Sequence, residues 1–197
     1  MKVPLLFAAL AFTMSASAAS SPVRVLYLGK DGSAAPKHCA ALMRGLGREA
    51  IWFDYTSNPA EATPERLAAF DAVLLDLPDE DSKSLANIDA KRVVTTTFAP
   101  DENAWSGSDF LKSVQEKVLN AAGSARRKEW EAFVAQREPE KREKNPFVAN
   151  YENRPEPITF QEPMSVKASM QRTQVPADMR LELFAAEPDI AKPIAFA

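Results

Sequence analysis

The sequence predicts an α/β domain: a small flavodoxin-like parallel sheet of about four strands with flanking helices, followed by an extended proline-rich C-terminal tail. Three observations predict it. Short β-rich runs alternate with helical stretches from Val23 to about Ala122. The runs VRVLYL, AIWFDY and DAVLLDL are nearly continuous in apolar residues, as strands covered on both faces are. Right-handed crossovers in so short a chain favour the strand order 2-1-3-4.

Composition bounds the rest. The chain has 197 residues, 46% hydrophobic and 26% charged, with a net charge of −3. That mix supports a real core and excludes wholesale disorder. It gives no basic footprint for nucleic acid. The single cysteine, Cys39, excludes a disulfide framework and any cysteine-based metal site. It lies among small and apolar residues in PKHCAALMRGLG, where a buried, inert thiol is expected. The single histidine, His38, leaves little from which to build a His-rich metal site or a Ser-His-Asp triad.

The chain opens as a leader. MKVPLLFAALAFTMSASA combines Lys2, a short apolar run from Val3 to Met14, and small residues Ala16-Ser17-Ala18, which together predict a signal peptide over 1–18. The apolar run falls short of the ~20 residues that span a bilayer, and nothing later reaches that length. An exported chain, periplasmic or extracellular and with no membrane span, is expected to begin near Ala19.

The domain proper covers 19–123. Val23 to Leu28 is the first strand, stopped at Gly29, and the loop GKDGSAAP leads into a helix whose exit Gly45 and Gly47 mark. Ala50 to Tyr55 is the second strand. Thr63 caps a short helix with Pro64 at its first position. Asp71 to Leu77 is the third strand, closed by Pro78, and Arg92 to Phe98, rich in β-branched residues, is the fourth. Ser108 opens a helix with Phe110, Leu111, Val114 and Val118 on one face, ending near Gly123. Leu26, Leu28, Phe53, Val73, Leu74, Leu75 and Val94 are the expected sheet core.

Beyond Gly123 the composition changes. Residues 124–145 interleave acid and base around a stripe of Trp130, Phe133 and Val134, which predicts a docked, charged surface helix. From Pro139 onward there are eight prolines and no glycine, the mark of a semi-stiff strap rather than a floppy tether. The last residues alternate like a strand at Leu181 and Leu183. Either a terminal strand docks back on the sheet or this is the front of a longer protein, and the second is favoured. On that reading the chain beyond about Asn150 is loosely held.

Ligands of an open parallel sheet bind beyond the carboxyl ends of the strands, where strand order reverses. The loops expected there carry Lys30, Asp31, Asp76, Asp101 and Trp105, a possible ligand crevice whose acids and tryptophan suit a carbohydrate. GKDGS invites a phosphate reading but lacks both glycine-rich fingerprints. Asp79, Glu80 and Asp81 lack a calcium-loop pattern and suit a solvated helix start. No nucleophile elbow is present. Catalytic, cofactor and metal residues are therefore assigned to none.

Two stretches carry a resemblance. VRVLYLGKDG, with LAAFDAVLLD further on, resembles the opening of the trehalose-utilisation (ThuA-like) family, related in fold to class I glutamine amidotransferases. RVVTTTFAPDENAWSGSDF resembles that family's closing strand and loop, through Arg92, Val93, Thr96, Asp101, Trp105 and Phe110. Ala99-Pro100 stands where the family has Gly-His. Only about fifteen residues, Pro78 to Arg92, replace a long middle section. The resemblance implies an abridged domain with no catalytic residue carried over. The stretch 146–197, most specifically Ser165 to Ala197, is similar to the lead-in of a sugar-dehydrogenase-type β-propeller in large secreted haem-c proteins. It implies a non-catalytic N-terminal module of a larger, membrane-associated dehydrogenase-like protein, whose partner is a downstream propeller and haem-c region. The C-x-x-C-H motif is absent from this chain, so no covalent haem and no other cofactor is expected. The alternative is a self-contained carbohydrate-binding or carbohydrate-processing domain.

Overall fold

Period-2 alternation in the first strand sends side chains to both faces of a sheet, and both faces are buried. A computed structural model describes residues 21–78, 88–144, 159–161 and 163–183. The predicted leader, Asp79, Glu80, Asp81, and the tail positions Phe184, Ile190, Ile194 and Phe196 lie outside the described residues. Strand β1 (Val23–Leu28) pairs in parallel with β2 (Ile51–Thr56) on one side and with β3 (Ala72–Leu75) on the other. β3 pairs in parallel with β4 (Val93–Thr95), which gives the order β2-β1-β3-β4. The sheet is the one the sequence predicts.

Val25 and Tyr27 of β1 face one layer, with Phe53 and Leu74 beside them. That layer is closed by α1 (Ala35–Leu46), α3 (Ser108–Ala122) and α4 (Ser124–Gln136), through Leu42, Val114, Val118 and Trp130. The alternate residues Leu26 and Leu28 face a thinner second layer with Val73, Leu67 and Phe70, covered by the short α2 (Pro64–Leu67). Leu75 is only partly buried; the other six expected core residues are buried.

Close approach explains one glycine. A Cβ at Gly45 would lie 2.6 Å from the Leu111 side chain, so this position lets α3 pack directly on α1. The helix runs through Gly45 to Leu46 and is capped by Gly47, close to the exit the sequence predicts. Arg92 ties the second layer together. Its guanidinium donates to the carbonyls of Leu67 and Phe70 at the end of α2, the first at 3.0 Å.

The charged segment departs from its expected extent. α4 stops at Gln136, and Arg142–Lys144 forms a strand, β5, instead of continuing the helix to 145. Pro139 accounts for the stop, because the residues before a proline are driven out of helical geometry. β5 pairs antiparallel with β6 (Thr159–Gln161). Within α4, Trp130 and Phe133 are buried as the stripe predicts, and Trp130 Nε1 donates to the Glu49 carbonyl at 2.7 Å. Arg126 bonds Asp71 Oδ1 at 3.0 Å and the Ser21 carbonyl at 3.0 Å, which docks the helix across the start of β1.

The strap is tied down over part of its length. Ser165 caps α5 (Val166–Arg172) through the Ala168 amide, and Ala168 is buried. Gln174 Nε2 donates to the Phe53 carbonyl at 2.9 Å, the Ala177 amide to Asp54 at 2.7 Å, and Arg24 to the Val175 carbonyl at 3.1 Å. Among the described residues the stretch 165–177 is thus bonded to the edge strand β2 and to β1, in contrast to the loose hold expected beyond Asn150. No helix among the described residues is long and apolar enough to cross a membrane.

Candidate functional site

The parallel order reverses between β1 and β3, and their carboxyl ends carry the polar residues that lead to the loops. At the end of β1 the chain must pass close to its neighbours. A Cβ at Gly29 would meet Ala35 Cβ at 2.7 Å and the Tyr55 ring at 2.8 Å. A turn follows, with Gly32 at φ +80°, and closes on the Lys30 carbonyl, which accepts from the Ser33 amide at 3.2 Å and the Ser33 hydroxyl at 2.6 Å. Glycine is required at φ +80°, where a Cβ would be strained.

Just past β3, Asp76 is held by its own amide, which donates to the Leu28 carbonyl at 2.8 Å. Its Oδ2 accepts from the Tyr27 hydroxyl at 2.6 Å and lies 2.7 Å from His38 Nδ1. A carboxylate offers only lone pairs, so the imidazole proton sits on Nδ1 and donates. Burial first, and the bond to Asp76 second, hold the Tyr27 phenol far above its ordinary range, so it stays a proton donor. His38 comes from the first turns of α1. Its ring stacks on Phe98 at 3.8 Å between centroids, with the planes only 2° apart. Trp105 packs beside the same ring at right angles to it, 4.4 Å between centroids. Trp105 is itself buried, and its Nε1 donates to the Ala99 carbonyl at 2.7 Å.

The five crevice residues therefore fall in different places. Asp76 and Trp105 meet around His38. Asp31 turns toward β2 and accepts from Ser57 at 2.6 Å and Tyr55 at 3.1 Å. Tyr55 is pushed up to about 12, by desolvation first and by the bond to Asp31 second. Asp101 accepts from the Asn103 amide at 3.0 Å, starting the short turn of helix that carries Trp105. Lys30 has its backbone in the turn and its side chain exposed.

His38 is the residue that sequence reasoning missed. A single histidine gives little from which to build a metal site or a triad, yet its partner is a carboxylate 38 positions away. The signal was topological: the helix after β1 starts at the carboxyl edge of the sheet, beside the residue that ends β3.

Chemically, a histidine oriented by a carboxylate is half of a general-base pair. The nearest thiol does not supply the other half. Cys39 is buried and its thiol is pushed up to about 12, by burial first and then by Asp54 and Asp76. At neutral pH it is a protonated, weak nucleophile. Among the described residues no three metal-capable side chains gather. A groove of about 930 Å³ lies away from this centre, between α2, the outer side of β2 and the strap, lined by Asp54, Tyr55, Arg66 and Asp178 among others.

No family model, curated protein or solved structure matches the chain.

Proposed function

We propose that this chain is an exported, non-catalytic module, an abridged ThuA-like domain serving as the N-terminal part of a larger, membrane-associated dehydrogenase-like, haem-c-containing protein. One observation carries the non-catalytic part. The acids and the tryptophan at the carboxyl end of the sheet are engaged with the protein's own groups: Asp76 with Tyr27 and His38, Asp31 with Ser57 and Tyr55, and Trp105 with Ala99. A carboxylate that already accepts two short bonds and a buried tryptophan suit a scaffold better than a sugar-contacting surface. The larger context rests on the resemblance of Ser165 to Ala197 to a propeller lead-in. On this reading the domain provides packing surface, and the chemistry belongs to a downstream propeller and haem-c region.

The test is titration of the purified protein with trehalose, glucose and a β-linked disaccharide, followed by amide chemical shifts. No saturable shift at Asp76, Trp105 or Tyr55 is expected. A saturable response there would overturn the module reading in favour of a carbohydrate-binding domain. Export has its own check. The small side chains at Ala16 and Ala18 place cleavage after Ala18, so a secreted product that still begins at Met1 would refute it.

A further inference from the structure

A chain with net charge −3 has little reason to gather arginines in one place, yet several meet where the end of α1 approaches α5. A pocket of about 190 Å³ opens there, lined by Arg44, Arg48, Arg172, Glu140, Trp52 and Gln174 among others. We propose that it binds a doubly charged tetrahedral oxyanion, an inorganic phosphate or a phosphate monoester.

The argument begins with charge. Among the described residues that line the pocket, three arginines stand against one glutamate, an excess that a dianion neutralises and a monoanion does not. Three elements supply the cations: the last turn of α1, the helical turn after it, and the end of α5. Arg44 and Arg48 share one face at a spacing of four, and Arg172 joins them from a separate helix. Guanidinium is also the suitable cation, because its planar fork matches a phosphate edge with two parallel donors.

Arg172 reaches Glu140 at 3.4 Å and donates to the Glu138 carbonyl. Arg137 lies close enough that desolvation first and Arg172 second push its guanidinium below its ordinary value. Arg137 and Arg172 each keep a buried Nε without an acceptor among the described residues. A buried donor without a partner is uncommon and marks a site short of acceptors. Size agrees as well. One water needs only ~10–15 Å³ by the same measure of volume, so the pocket has room for an oxyanion and part of its hydration shell. Arg44 and Arg48 also offset the negative end of α1, but that role needs neither Arg172 nor a pocket.

The experiment is calorimetric titration of the full chain, in a phosphate-free buffer of low ionic strength, with inorganic phosphate, glucose 6-phosphate and acetate. Phosphate is expected to bind with Kd of about 1 mM or tighter, and more weakly as salt is raised. Arg172→Gln and, separately, Arg48→Gln should each weaken it about tenfold, while Glu140→Gln should tighten it. Arg48 is exposed, so its replacement leaves the fold intact and keeps the test valid if the Arg172 variant misfolds. A tighter monoester than free phosphate supports the site and names a phosphorylated small molecule as its source; the reverse order names the free ion. Absence of heat with both phosphates, acetate binding as tightly as phosphate, or phosphate binding unchanged by Arg48→Gln would each overturn the proposal.

Discussion

Asp76 gathers a buried phenol and a partly buried imidazole on one oxygen, and that makes it the residue whose loss should cost most at the end of the sheet. Asp76→Ala removes the acceptor and leaves the Tyr27 hydroxyl and His38 Nδ1 unsatisfied, an expected loss of about 1.5–3 kcal/mol. Tyr27→Phe removes one donor and leaves the carboxylate its histidine, so about 1 kcal/mol is expected. Urea denaturation of both variants checks the order; equal losses would mean that Asp76 is not the hub. Cys39 carries a pH signature. Its thiol ionises near 9.0 in the unfolded chain and is pushed up to about 12 in the fold, by burial first. The folded state therefore holds the proton more tightly. This contribution to stability is whole below pH 9 and is lost as pH rises toward 12. Tyr27 and Tyr55, also raised, act in the same direction, so the comparison must isolate the thiol. Stability of Cys39→Ala, followed by urea denaturation from pH 8 to 11, should fall less steeply than that of the parent chain.

At the scale of elements, β3 is the hinge of the design. It has a strand on each side, and its residues feed both layers, Leu74 one and Val73 the other. Leu74→Ala should cost ~2–5 kcal/mol, the range for a fully buried leucine whose cavity cannot collapse. A thermal melt unchanged by this substitution would contradict a central β3. The strap makes the opposite kind of contact, a few polar bonds along an edge. In a parallel ladder alternate residues turn their backbone groups to the same neighbour, and Thr56 and Ala50 turn theirs to β1. Phe53 between them faces outward, and Gln174 supplies the donor that a further strand would have given. Replacing Asp54 by Ala should speed hydrogen exchange at the Ala177 amide, which is bonded to its carboxylate at 2.7 Å. An exchange rate that stays the same would show that this bond does not hold the strap.

At the scale of the whole molecule, the strap guards an edge. A bare parallel edge strand offers unpaired backbone groups to any passing chain. A version ending at residue 163 should therefore lose monomer to higher oligomers at concentrations where the full chain does not, as read by light scattering on a sizing column. Monomer in both would assign the strap to some other task. Much of this molecule was legible in the sequence, because hydrophobic periodicity is a local property that survives without neighbours. The runs at Val23, Ala50, Asp71 and Arg92, the crossover rule and the stripe on α4 determined the parallel sheet, its order 2-1-3-4 and its buried faces. The site was legible only in outline. Topology sent Asp76 and Trp105 to one end of the sheet, but the pairing of Asp76 with Tyr27 and His38 needed three elements to close on one oxygen. The same holds for Arg172, which lies more than a hundred positions from Arg44 and Arg48 and meets them only after α5 docks. Sequence by itself determined which residues must leave water and in which layers they do so. Tertiary structure alone decided which polar groups meet, because a hydrogen bond or an ion pair depends on ångström-scale geometry between segments that no local pattern encodes.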